Sequence, residues 1–220
     1  MSKIGFPGIF GLLLDYLGAA VRPQDIIAVV RRLFLLFAPS PGTYEVLEHI
    51  VTLELKDAKG KKAIYRKHQR VRFTQDNVIA YQDKAWGAGE IFADYKCSPG
   101  VAVDRYKEGH RYRVLISLRE TKNKGDEETI HIERTVLNGF TRSRENIQTD
   151  IDHRMHKLSI SVIFPKRRLP KMVNLIEQNT TRTTPLDHRH FDTLPDGRCQ
   201  VTWKTDKPRL FEAYIILWEW

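Results

Sequence analysis

The 220-residue chain is poor in sulfur, with three methionines and two cysteines, Cys97 and Cys199. Two cysteines about a hundred residues apart are too few for the disulfide framework of a small secreted scaffold. The expected state is two free thiols in a cytoplasmic protein. An acidic surplus is also lacking: 36 Lys and Arg stand against 27 Asp and Glu, a formal net charge of +9. An acidic activation domain is thereby excluded, and an anionic partner is expected: nucleic acid, lipid headgroups or an acidic protein.

An uninterrupted apolar run of membrane-spanning length is missing too. Residues 4–21, IGFPGIFGLLLDYLGAAV, carry Asp15 near their centre and are broken by Pro7 and several glycines. A carboxylate at mid-membrane costs about 2.5–3.5 kcal/mol on insertion scales. Residues 26–38, IIAVVRRLFLLFA, are interrupted by Arg31 and Arg32. As a helix they would reach about 20 Å, short of a hydrocarbon core of about 30 Å. No heptad or collagen repeat is present, and neither are the H-E-x-x-H and G-x-S-x-G catalytic signatures. No cofactor is expected, and no catalytic residues stand out.

What is present changes character at Ala38-Pro39-Ser40-Pro41-Gly42. Before it, spacing is helical: Ile26, Val30, Leu33 and Phe37 draw one apolar stripe, Pro23 stops a first helix and Asp25 caps a second. Residues 1–43 thus read as a short hydrophobic helical hairpin with a proline-rich linker. A partner protein, a second copy or a membrane surface is expected at residues 4–38. The contact residues would be Ile26, Val30, Arg31, Arg32, Leu33 and Phe37, the arginines near anionic headgroups.

After the linker the period is two. Val51, Leu53 and Leu55 alternate with polar residues, as do Tyr112 to Leu118, Leu158 to Phe164 and Tyr214 to Trp220. Turn signals such as Asp57-Ala58-Lys59-Gly60 and Lys124-Gly125-Asp126 separate them. Residues 44–220 are therefore mainly β, an antiparallel β-sandwich or barrel of roughly ten to twelve strands. A weak echo between halves allows a division into two tandem sandwiches, 44–120 and 127–220.

Four candidate chemistries suggest themselves. Lys61, Lys62, Arg66, Lys67, Arg70 and Arg72 crowd one hairpin, and Lys166, Arg167, Arg168 and Lys171 form a second basic tract. A basic strand face beside aromatic rings suits a phosphate backbone, whereas a solvated sheet face balanced by Glu54, Asp57 and Asp76 is the structural alternative. Trp86, in Trp86-Gly87-Ala88-Gly89, is a recognition anchor if exposed and a core plug if buried. His188 and His190 would share one face of an extended segment and reach one metal ion, although a polar loop accounts for the same residues. Cys97, with His110 as base, is the candidate thiol.

The function that follows is a non-enzymatic β-sandwich binding or effector module, peripherally membrane-associated through its N-terminal hairpin. The alternatives are a nucleic-acid-binding protein using the basic face Lys59–Arg72, and a metal-dependent hydrolase using His188 and His190.

Overall fold

The computed structural model describes residues 42–220. The chain divides into two units, Met1–Gly42 and Thr43–Trp220. The helical hairpin and its contact residues, Ile26, Val30, Arg31, Arg32, Leu33 and Phe37, lie outside the described residues. Among the described residues, no helix is long and apolar enough to cross a membrane.

Thr43–Trp220 is mainly β, with almost no helix. In chain order the strands are β1 (Tyr44–Leu55), β2 (Lys62–Phe73), β3 (Val78–Ala85), β4 (Glu90–Ser98), β5 (Val101–Glu108), β6 (Arg111–Lys122) and β7 (Glu127–Leu137). There follow β8 (Arg144–Asp150), β9 (Leu158–Phe164), β10 (Met172–Glu177), β11 (Arg182–Pro185), β12 (Phe191–Thr193), β13 (Cys199–Thr205) and β14 (Ala213–Glu219). They form three sheets: β12-β13-β9-β1-β2-β7-β4, β11-β10-β14-β8, and β3-β6-β5. None of these sheets closes, so there is no barrel among the described residues. One pairing departs from the antiparallel expectation: β1 and β9 run parallel, Val51 opposite Ile160.

That parallel pair also joins strands from both halves of the chain. The seven-stranded sheet takes β1, β2, β4 and β7 from the first half and β9, β12 and β13 from the second. Residues 44–120 and 127–220 therefore share one sheet and one core. The echo between halves arises because half-buried strands resemble one another whatever sheet they join.

The long β1–β2 hairpin is set by its turn. The Asp57 carboxylate accepts the backbone N–H groups of Lys59, Lys61 and Lys62 at 2.8, 3.2 and 2.7 Å. Gly60 has φ +66°, and a Cβ there would lie 1.7 Å from the Phe140 carbonyl oxygen. Only glycine lets this turn dock against the 138–140 loop, where Asn138 N–H donates to Lys61 O at 2.7 Å.

The two smaller sheets cover different parts of the large one. Trp218 of β14 meets Phe164 of β9 edge-on, at 5.6 Å between ring centroids, and Tyr214 lies against Trp203 of β13. Tyr81 of β3 stacks on Tyr44 of β1 at 5.4 Å. Burial of this aromatic and branched aliphatic surface is the main source of stability. The strands bordering the gap between the small sheets are β3 and β8, each an edge strand of its own sheet.

Candidate ligand-binding site

The register of β1, β2 and β7 sorts their side chains onto two faces. Turned into the molecule are rows joining His49, Gln69 and Ile130; Val51, Lys67 and Ile132; Leu53, Tyr65 and Arg134; and Leu55, Ala63 and Val136. The interior face of a central sheet is normally apolar. Here the buried set includes His49, Lys67, Gln69 and Arg134. Such a run of buried polar groups has a cost unless each is hydrogen-bonded and each charge is paired.

Part of the run is satisfied. Lys67 Nζ lies 2.5 Å from Asp83 of β3 and 2.9 Å from the Tyr81 hydroxyl. Tyr81 in turn donates to Gln69, and the Tyr95 hydroxyl donates to Asp83 at 3.1 Å. Burial opposes the Lys67 charge, but Asp83 beside it more than compensates and holds the ammonium above its ordinary pKa.

Part is not satisfied. Both ring nitrogens of His49, and Nε and one terminal nitrogen of Arg134, are buried with no hydrogen-bond partner among the described residues. His49 is 7% and Arg134 8% exposed. The Arg134 guanidinium sits 4.2 Å from the centroid of the Tyr65 ring, a cation–π contact. Burial, reinforced by the nearby Lys67 charge, lowers the His49 pKa to about 3, so its ring is neutral at pH 7.

These groups face a cavity of about 290 Å³ at the seam between the two smaller sheets. Its floor is the inner face of β1, β2 and β7. Its sides are Tyr81, Gln82 and Lys84 of β3 and Glu145 to Asp150 of β8, and its rim is formed by the 86–91 and 139–142 loops. Ion pairs join the seam, Lys84 with Asp152 and Arg111 with Asp150 at 2.7 Å. His153 lies against Tyr44 at 4.4 Å between rings. Burial, with Lys84 next in effect, keeps its pKa below the ordinary histidine value.

Of the residues singled out from the sequence, two reach this cavity. Lys67 is on its floor, and Trp86 is on its rim with the Arg111 guanidinium 4.8 Å from its ring. Half-buried Trp86 is thus neither a free anchor nor a core plug. Arg66, Arg70 and Arg72 point to the opposite face of β2 and are held in ion pairs. Arg66 meets Glu54 and Glu133 at 2.8 and 2.7 Å, Arg70 meets Glu127 at 3.4 Å, and Arg72 meets Glu45 and Glu127 at 3.3 and 2.7 Å. Burial pushes the Glu54 carboxyl up, but hydrogen bonds from Lys56, Arg66 and Arg198 prevail and bring it down to about 2.

Lys61 and Lys62 are exposed at the start of β2. The structure brings their turn beside the second basic tract, where Arg168 donates to the Ala58 carbonyl at 3.0 Å.

The histidine pair differs from expectation. His188–His190 is a 3-10 turn rather than an extended run. Asp187 caps it, accepting the Arg189 N–H at 3.2 Å and meeting His190 Nδ1 at 2.9 Å. A turn of that pitch breaks the two-residue alternation that would have aligned the two rings. Among the described residues, no group of three or more His, Cys, Asp or Glu is placed to hold a metal ion. Cys97, on β4, is half-buried, and burial pushes its thiol pKa up, away from nucleophilic reactivity. His110 is engaged by Arg111 Nε at 3.3 Å.

Sequence reading missed His49, Gln69 and Arg134. A usable signal existed: the strand alternation that turns Arg66, Arg70 and Arg72 outward turns Tyr65, Lys67 and Gln69 inward.

No family model and no curated protein matches the chain. Among solved structures, it is similar to a protein from Parabacteroides distasonis ATCC 8503 named a "putative protease". The TM-score is 0.49 at 9% identity, over 82% of this chain and 41% of that one. The chain therefore spans about two fifths of that protein's structure.

Proposed function

We propose that Thr43–Trp220 is a non-enzymatic binding module whose ligand is a small molecule seated at the seam between the two smaller sheets. One observation carries the reading: His49 and Arg134, both more than nine-tenths buried and each with polar atoms that have no partner among the described residues, line a cavity on the inner face of a sheet. A fold keeps such groups when something else supplies their partners. Support for binding rather than catalysis comes from the wall itself. It includes no serine or cysteine, and its carboxylates, Glu145, Asp150 and Asp152, are engaged by the Arg142 N–H, Arg111 and Lys84.

The test is occlusion. Ala88 is exposed at the rim, so Ala88→Trp plugs the mouth without disturbing the core. A thermal-shift screen of small metabolites should find compounds that raise Tm by several degrees in the wild type and not in Ala88→Trp. Finding none, or equal shifts in both proteins, defeats the proposal.

A second reading is favoured by the joining of the two basic tracts. Exposed Lys59, Lys61, Lys62, Lys166 and Arg167 surround the Arg168–Ala58 contact, a surface suited to a phosphate backbone. Fluorescence anisotropy with single-stranded oligonucleotides should then show affinity falling steeply between 50 and 200 mM salt, as is usual for about six or more phosphate contacts. The Lys61→Glu, Lys166→Glu, Arg167→Glu variant should lose it. Salt-insensitive binding, or none, removes this reading. Peripheral membrane contact through Ile26 to Phe37 is proposed alongside either, and liposome flotation of the full chain against one starting at Thr43 tests it.

A further inference from the structure

The geometry points to a ligand class for this cavity: a compact organic oxyanion, a carboxylate or phosphate ester on a flat ring, with its charge held by Arg134. The inference rests on the cavity being a ligand site and adds the charge of what fills it. It follows from which groups on the wall are already committed. Asp150 is taken by Arg111 and Asp152 by Lys84, and Asp83, behind the wall, by Lys67 and Tyr95. Glu145 accepts the Arg142 backbone N–H at 2.7 Å. Arg134 alone among the deeply buried cations has no carboxylate within ion-pair distance among the described residues.

Water can satisfy a guanidinium's N–H groups, but it does not neutralise the charge. An unpaired buried charge is among the least favourable features a core can hold. The Tyr65 ring, 4.2 Å away, offsets part of that cost through its π face. Nε and one terminal nitrogen of the planar guanidinium have no partner among the described residues, and a carboxylate or phosphate supplies the charge-assisted acceptors that a guanidinium takes. The aromatic walls, Tyr44, Tyr65, Tyr81, Trp86 and Phe140, suit a flat apolar body attached to the anion. At about 290 Å³ the space fits one ring with its substituent and not a polymer.

The experiment uses the full chain and four probes: benzoate, phenyl phosphate, inorganic phosphate and benzyl alcohol, a neutral analogue of benzoate. Calorimetry should show saturable binding of benzoate or phenyl phosphate, with benzyl alcohol at least tenfold weaker. The preferred member of the two anions identifies carboxylate or phosphate, and inorganic phosphate shows whether the anion suffices without a ring. Arg134→Met should weaken the anion about 10- to 150-fold, the range for hydrogen bonds to a charged group. The same substitution should raise the ligand-free Tm by about 2–4 °C, because it removes a lone buried charge. A purely structural arginine would give the opposite, a lower Tm.

Benzyl alcohol binding as tightly as benzoate, with Ala88→Trp abolishing both, overturns the anion and leaves the cavity as a ligand site. Anion binding unchanged in Arg134→Met also overturns it. No probe binding in a manner that Ala88→Trp blocks overturns both readings.

Discussion

Both faces of the β1–β2–β7 sheet carry charged and polar groups, many on the outer face and few on the inner, and treat them in opposite ways. On the outer face each arginine of β2 lies against a glutamate of β1 or β7, in a solvated row of ion pairs. On the inner face one pair, Lys67 with Asp83, is closed, while Arg134 and His49, which line a cavity, keep polar atoms without a partner among the described residues. Matched charge in water has little consequence for stability, whereas unmatched polarity in a core has a large one. The asymmetry therefore separates where the sheet is merely kept soluble from where it is built to meet something.

The largest effect is expected inside. Asp83→Asn leaves Lys67 buried without its counter-charge and should cost about 3–5 kcal/mol in urea unfolding. Combining it with Lys67→Met should restore most of that loss. Equal losses in the single and double variants would show that the pair does not act through charge.

Next comes the one outer-face carboxylate that is itself buried. Glu54→Gln weakens contacts with Lys56, Arg66 and Arg198 and should cost about 1–3 kcal/mol at neutral pH. Glu54 is held near 2, below its unfolded value. Its contribution is thus present above about pH 4.3 and is lost as pH falls toward 2. Acid titration of unfolding should be flatter through that window in the variant, and an unchanged acid limb would contradict the assignment.

His49 gives a difference that is absent at neutral pH and opens only on acidification. Its folded pKa of about 3 lies below the unfolded value, so the unfolded chain is protonated first. Stability should fall as pH drops from about 6.5 toward 3, by about 1.4 kcal/mol per pH unit from this one group. His49→Gln should remove that slope; parallel pH–stability curves for the two proteins would refute it. The smallest effect belongs to the exposed arginine row. Arg70→Ala should change stability by less than about 0.5 kcal/mol, and a loss above about 1 kcal/mol would mean that the outer face is not the solvated row described.

Much of the fold is legible in the chain because a strand's alternation is local. Val51, Leu53 and Leu55, or Leu158 to Phe164, need only their own neighbours to declare an inner face. The 3-10 turn at His188–His190 was less legible, because it depends on how one side chain, Asp187, caps the backbone. The candidate site was half visible: Lys67 and Trp86 stood out by type and composition. Arg134 did not, because nothing within β7 says that the face it shares with Ile130 and Ile132 lies beside a cavity.

The sequence by itself determined a β-rich unit after the proline linker, free of catalytic signatures, with a net charge of +9 concentrated in particular hairpins. It also determined, through strict period two in β2, that Arg66, Arg70 and Arg72 must part from Tyr65, Lys67 and Gln69. Tertiary structure alone decided which of those sets faces inward and what meets it. It places glutamates of β1 and β7 beside the arginines and leaves a gap between β3 and β8 above Arg134. Both outcomes depend on strands distant in sequence becoming neighbours, and in a pleated sheet the identity of the neighbour decides whether a charge is matched or left open.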